Sequence, residues 1–236
     1  MNSPDRGPRN RLLAALSPRD LRQLSPLLET TPLAARQVLD APQDLIEHVY
    51  FVESGLVSVV GTTEPDHRIE VGMVGREGMT GLGIVLGDDR SANEIIVQSA
   101  GTALRISSVE LRKAMKANPT FAAILLRYVN VFVTQASQTA LANGRGRLDE
   151  RLARWLLMWH DRLGDADLII THEFLALLLG VRRPGVTVAL HDLEARGLIR
   201  ANRNLVKIID RDGLQLAANG FYGIPEAEYA RSIPWH

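Results

Sequence analysis

Arg182 and Arg183 stand side by side in the stretch Gly180-Val181-Arg182-Arg183-Pro184-Gly185-Val186-Thr187. A guanidinium is a planar, permanently charged fork of donors. It suits phosphate oxygens or the O6/N7 edge of guanine, and a packed helix core has no use for two of them. Other residues that could do chemistry are dispersed. The six histidines show neither metal-ligand spacing nor pairing with a nucleophile. Asp161, Asp165 and Asp167 read as caps around a turn, and no metal site is expected. Gly81-Leu82-Gly83-Ile84-Val85-Leu86-Gly87 falls short of a dinucleotide loop, because no long helix follows and Asp88-Asp89 would repel a pyrophosphate. No catalytic residue is expected, and the chain reads as a non-enzyme.

Around Arg182 and Arg183 the pattern is local and specific. Thr171 is placed to cap a helix over about His172–Leu178. Gly180 can take the positive φ of a tight inter-helix turn, and Val181 plugs the core beneath it. A second helix, over about 182–195, tolerates Pro184 in its first turn, where amides have no intrahelical acceptor. Val186, Leu190 and Leu193 form its buried face; Arg183, Thr187 and His191 share the opposite stripe. Two apolar runs flanking Asn202-Arg203-Asn204 then read as a β-hairpin. The unit is a winged helix-turn-helix, whose second helix presents its first turns to base edges in a major groove. Residues 171–211 hold seven basic and four acidic residues, a local excess of three in a chain whose 27 basic and 27 acidic residues balance. A basic excess here is what phosphate contact requires. The competing reading is a winged helix used for protein contact, with both arginines as solvated charge.

The preceding residues must position this unit. A composition that is 46% hydrophobic over 236 residues supports one large domain or two small ones. The absence of cysteine excludes disulfides, thiolate zinc sites and cysteine-held iron–sulfur clusters, and fits a cytoplasmic setting. Neither a signal peptide nor a membrane span is legible. Residues 1–11 read as a mobile polar tail, followed by a short helix over about 17–28. From Val38 to Ile106 short β-rich runs alternate with turn signals, which predicts an antiparallel sandwich or roll, with a hairpin at Ser54-Gly55. A short helix follows to Lys116. A long helix then starts near Pro119, with Phe121, Leu125, Tyr128, Phe132, Gln135, Thr139 and Ala142 spaced 4, 3, 4, 3, 4, 3. That is a heptad seam suited to a dimer. A helix packed on its own domain is the alternative, because Ile124 and Val131 widen the apolar face. Asn143-Gly144-Arg145-Gly146 ends the helix, and an amphipathic helix over 148–163 carries Leu152, Trp155, Leu156 and Trp159 on a core face. The expected fold class is therefore α+β: a sensor roll over 12–118, a dimerisation helix over 119–143 and a winged helix-turn-helix over 147–222.

This order resembles the Crp/Fnr family of bacterial transcription regulators, over about residues 15–222. The most specific pieces are HVYFVESGLVSVV, VGREGMTGLGIVLG, RLARWLLMWHDRLG and THEFLALLLGVRRPGVTVALHDLEARGLI. The resemblance implies a roll like a cyclic-nucleotide-binding domain and a homodimer paired through the long helix. Its implied partners are double-stranded DNA with two-fold symmetric sites and RNA polymerase. It also implies roles. Arg183 matches an arginine that reads bases, while Pro184 replaces the usual glutamate and Val188 a later arginine, so Val188 would meet a thymine methyl and the operator should differ from that of the cyclic-AMP receptor. Thr171, Arg182, Asn202 and Arg203 fit phosphate contacts. Arg90-Ser91 fall where cyclic-AMP-binding members hold the cyclic phosphate. Thr80 stands where their ribose-binding glutamate belongs, Glu77 lies three residues too early, and Ser137 falls near the adenine-reading position. A cyclic nucleotide is thus a conceivable cofactor of a partly altered pocket. Haem is not expected, since His48 and His67 are the roll's only histidines.

Overall fold

The computed structural model describes residues 7–63, 67–164, 167–202 and 204–233. They form two compact units. One comprises residues up to 59, 73–133 and 228 onward; the other comprises 60–72 and 134–227.

The first unit opens with two short helices, α1 (Arg11–Ala14) and α2 (Pro18–Leu24). The sequence predicts a mobile tail through residue 11, but Asn10 is fully buried. Its Oδ1 accepts the Leu12 and Leu13 amides, and its Nδ2 donates to the carbonyls of Val52 and Gly78. An Asn-capped helix start reads as polar tail in sequence because its partners lie more than forty residues away.

Five strands follow, of which the end of β3 and most of β4 fall within residues 60–72 of the second unit: β1 (Glu29–Leu33), β2 (Val38–Asp40), β3 (His48–Thr62), β4 (Arg68–Val74) and β5 (Glu94–Ser107). The sheet order is β1-β5-β3-β4, with β2 also on β5. β1 and β5 are antiparallel, pairing Glu29 with Arg105 and Leu33 with Gly101. The hairpin expected at Ser54-Gly55 does not form, and β3 runs straight through it. Gly55 has a φ of 86°, and a Cβ there would lie 2.5 Å from the Ser99 carbonyl oxygen. A Cβ on Gly101 would lie 2.0 Å from the Ser54 carbonyl oxygen. The two glycines let two long strands approach closely, so the Ser-Gly signal marks a strand contact instead of a turn.

A short helix α3 (Leu82–Leu86) interrupts the strands, and α4 (Ser108–Ala117) leads to the long helix α5 (Pro119–Arg145), whose first turn is capped by Asn118 Oδ1 on the Phe121 amide, 3.0 Å. Phe121, Leu125 and Tyr128 of α5 join Leu12, Phe51, Met79 and Ile106 in one apolar core. Tyr229 and Ile233 belong to the same core, so the C-terminal segment docks on this unit.

The second unit is built on α6 (Leu148–Leu163), α7 (His172–Leu179), α8 (Arg183–Ala195) and α9 (Arg211–Ala217), with a three-stranded sheet of β6 (Leu168–Ile169), β7 (Ile199–Asn202) and β8 (Leu205–Ile208) in the order β6-β8-β7. Leu152, Leu156, Leu175, Val186, Leu190 and Leu193 are all but inaccessible to solvent. A last helix, α10 (Ile224–Ser232), closes the chain. Among the described residues, no single helix is long and apolar enough to cross a membrane.

Candidate nucleic-acid interface and ligand cavity

The helix pair forms where the sequence places it. Thr171 Oγ1 accepts the Phe174 amide at 3.2 Å and caps α7. Gly180 takes the left-handed conformation, φ 61°, and ends it. Arg182 is the N-cap of α8 and Pro184 lies in its first turn. Arg151 of α6 donates to the Leu179 carbonyl, which holds the end of α7 against the α6 scaffold.

On α8 the buried Val186, Ala189, Leu190 and Leu193 face inward, while Arg182, Arg183, Val188 and His191 are exposed. Val188 is 60% exposed, an apolar side chain offered to solvent on the same helix as Arg183. Thr187 is half-buried: it lies 3.0 Å from His172 Nδ1 and donates weakly to the Arg183 carbonyl. Its hydroxyl is therefore held between the two helices. Arg183 is also held from the first helix, its Nε lying 3.1 Å from Glu173 Oε1. The wing is a true hairpin. Ile199 pairs with Ile208 and Asn202 with Leu205, and Asn204 has a φ of 60° in its turn. Asn202 is exposed at the end of β7; Arg203 lies outside the described residues. Glu194 Oε1 accepts the Ala201 amide at 2.9 Å, so α8 itself fixes the wing. Sequence reasoning missed Glu173, His172 and Glu194 as positioning residues. Glu173 and Glu194 had entered only as charges, although each lies in a helix turn that faces a basic or donor group.

A cavity of about 480 Å3 in the first unit gathers Thr80, Arg90 and Ser91. The Arg90 guanidinium is exposed and donates through Nη1 to the Gln43 carbonyl, 2.7 Å. Ser91 is buried and donates to the Asn93 carbonyl, 2.6 Å; Thr80 Oγ1 accepts the Tyr50 amide at 3.2 Å. Ser137 is not part of its wall and is exposed on α5.

The heptad positions on α5 behave differently from the expected seam. Phe121, Leu125, Tyr128, Phe132 and Gln135 are all buried within the protomer. Thr139 is half-buried and, with the Gln135 carbonyl, receives the buried Arg154 guanidinium. Burial lowers the Arg154 pKa to about 10, so it remains charged. The seam is thus a core face, widened by the buried Ile124 and Val131. The exposed stripe has the same 4, 3 spacing displaced by five residues: Leu126, Asn130, Val133, Ser137, Ala140 and Gly144. Five residues turn a helix by about 140° beyond one full turn. Leu126 and Val133 are 49% and 55% exposed.

Asp161 is drawn into a contact with Arg211 (2.6 Å) and the Tyr222 hydroxyl (2.6 Å), and Asp165 lies outside the described residues. Among the described residues no three histidine or carboxylate side chains converge as metal ligands.

Comparison with known proteins agrees with this geometry. Residues 150–217 match the Crp-like helix-turn-helix domain, and residues 30–118 match the cyclic nucleotide-binding domain. Two domains of these kinds, in this order on one chain, define a DNA-binding transcriptional regulator, and the chain belongs to the Crp/Fnr family. Similar solved structures include the c-di-GMP-responsive global regulator CLP of Xanthomonas campestris, at 19% identity and a TM-score of 0.66 over 81% of this chain and 99% of that one. FixK2 of Bradyrhizobium japonicum is 18% identical, with a TM-score of 0.66 over 80% and 96%. A Crp/Fnr family transcriptional regulator of Thermus thermophilus, TTHA1359, is 22% identical, with a TM-score of 0.65 over 81% and 99%. No curated protein sequence matches the chain.

Proposed function

We propose that the protein acts in the cytoplasm as a homodimer that reads a two-fold symmetric duplex site, one α8 per half-site in the major groove, and communicates with RNA polymerase without catalysing a reaction. Its working parts are a sensor roll over 12–118, a dimerisation helix over 119–143 and a DNA-binding domain over 147–222. The observation that carries this reading is the outward face of α8: Arg183, Val188 and His191 are exposed together at the end of the helix pair, beside a wing fixed by Glu194. Arg183 is the base reader, with guanine O6/N7 as its acceptors, and Val188 meets a thymine methyl. Thr171, Arg182, Asn202 and Arg203 position the domain through phosphates, while Thr187 supports the reading face through His172.

The dimer seam that the exposed surface supports is Leu126, Asn130, Val133, Ser137, Ala140 and Gly144, in place of the buried heptad. Small residues towards its C-terminal end allow two helices to approach closely. The roll senses a small effector that biases two arrangements of the dimer. The test is binding of a random duplex pool to the full chain at rising ionic strength. Phosphate-driven association predicts affinity falling linearly in log–log coordinates. Affinity independent of salt would instead favour a winged helix used for protein contacts.

A further inference from the structure

The cavity of the roll is chemically unlike a nucleotide site. Its volume, about 480 Å3, suits a small molecule. Its wall is largely hydrocarbon: Val59, Val74, Met79, Ile95 and Phe132 face it together with Ile46. The wall's hydroxyls are partly engaged, and Thr80 alone keeps its proton. Ser91 spends its only proton on the Asn93 carbonyl, and Thr80 Oγ1 receives the Tyr50 amide. The one carboxylate on the wall, Asp88, is fixed by accepting the Arg90 amide at 3.1 Å, and with it beside Arg90 a singly charged anion is opposed less than a phosphate carrying more charge and more oxygens.

A cyclic nucleotide would therefore set ribose hydroxyls and purine edge atoms against methyl and methylene groups. Polar groups buried without partners are unfavourable, whereas apolar surface gains by entering the same wall. The one cationic group on the wall is the Arg90 guanidinium, of which only Nη1 is shown donating, to Gln43.

We propose that this cavity binds an apolar ring or branched chain carrying a single carboxylate, the carboxylate at Arg90 and the hydrocarbon among Val59, Val74, Ile95 and Phe132, and that it does not bind a cyclic nucleotide. The inference rests on the reading of the roll as a sensor.

The test is equilibrium titration of the full chain with 2-naphthoate, followed by its fluorescence, beside its neutral methyl ester and cyclic AMP. The expected result is one naphthoate per chain, bound at least tenfold more tightly than cyclic AMP. Arg90→Gln changes an exposed side chain and should weaken naphthoate at least tenfold while leaving the methyl ester unchanged. Leu86→Trp, also at an exposed wall position, should weaken both. Tighter binding of cyclic AMP, no binding of naphthoate, or naphthoate affinity unaltered in both variants would overturn the proposal. A parallel measurement of duplex affinity separates the two readings: naphthoate that binds as expected but leaves DNA affinity unchanged supports the cavity assignment and contradicts the sensor role.

Discussion

Glu173 Oε1 lies 3.1 Å from Arg183 Nε, joining the first turn of α7 to the first turn of α8. Both side chains are well exposed, so the pair adds little to stability. Its consequence is positional: Nε is held by α7, and the pair uses neither terminal nitrogen of the guanidinium. Glu173→Gln is expected to leave the melting temperature nearly unchanged. The same change should raise affinity for random duplex, because a carboxylate near phosphates is lost. It should also cost about 1 kcal/mol of discrimination at the base pair that Arg183 reads, a part of what a bidentate arginine–guanine pair provides. Competition binding with single-base variants of the preferred site measures this, and Arg183→Ala sets the full effect.

Phosphate contacts should declare themselves through salt. Arg182→Ala is expected to reduce the slope of log affinity against log salt by about 1, and to weaken all duplex sequences alike. A change in sequence preference with an unchanged slope would make Arg182 a base reader.

The buried and exposed stripes of α5 make separable predictions. Val133→Glu places a charge on the exposed stripe, and the expected outcome is a folded monomer by sedimentation with an unchanged far-ultraviolet spectrum. Leu125→Ala removes a fully buried side chain and should destabilise the fold by about 2–5 kcal/mol. A Val133→Glu chain that remains dimeric would place the interface elsewhere.

Local signals were legible in the sequence and non-local ones were not. Gly180 and Pro184 mark the ends of two adjoining helices, and their meaning depends only on neighbours within a turn. The wing was legible for the same reason, with Asn202-Arg203-Asn204 between two apolar runs. Ser54-Gly55 misled because its meaning depends on Gly101, on a distant strand. The heptad of α5 is buried within the chain itself, because periodicity does not distinguish a face covered by a partner from one covered by the chain's own residues. Nor could sequence assign the final segment, since Tyr229 and Ile233 find their core more than a hundred residues upstream.

Asp40 gives the fold a pH dependence. Burial, and then the neighbouring Asp44 charge, push its carboxyl up from 3.8 to about 6. A raised carboxyl pKa means that the folded state holds the proton more tightly than the unfolded chain. Its contribution therefore favours folding below about pH 4 and is lost as the pH rises through about 6. Asp40→Asn is expected to flatten stability across that window. At pH 7 it should add about 1–2 kcal/mol, less than the full shift implies because solvent screens part of the charge. Denaturant titrations at pH 4.5 and pH 7 check both statements.

The most direct test of the central claim is selection of binding sites from a random duplex pool by the full chain and by Arg183→Ala. The account predicts a two-fold symmetric site for the native chain and relaxed preference at one base pair in each half-site for the variant. An asymmetric site, no enriched site, or identical preferences in the two proteins would contradict it.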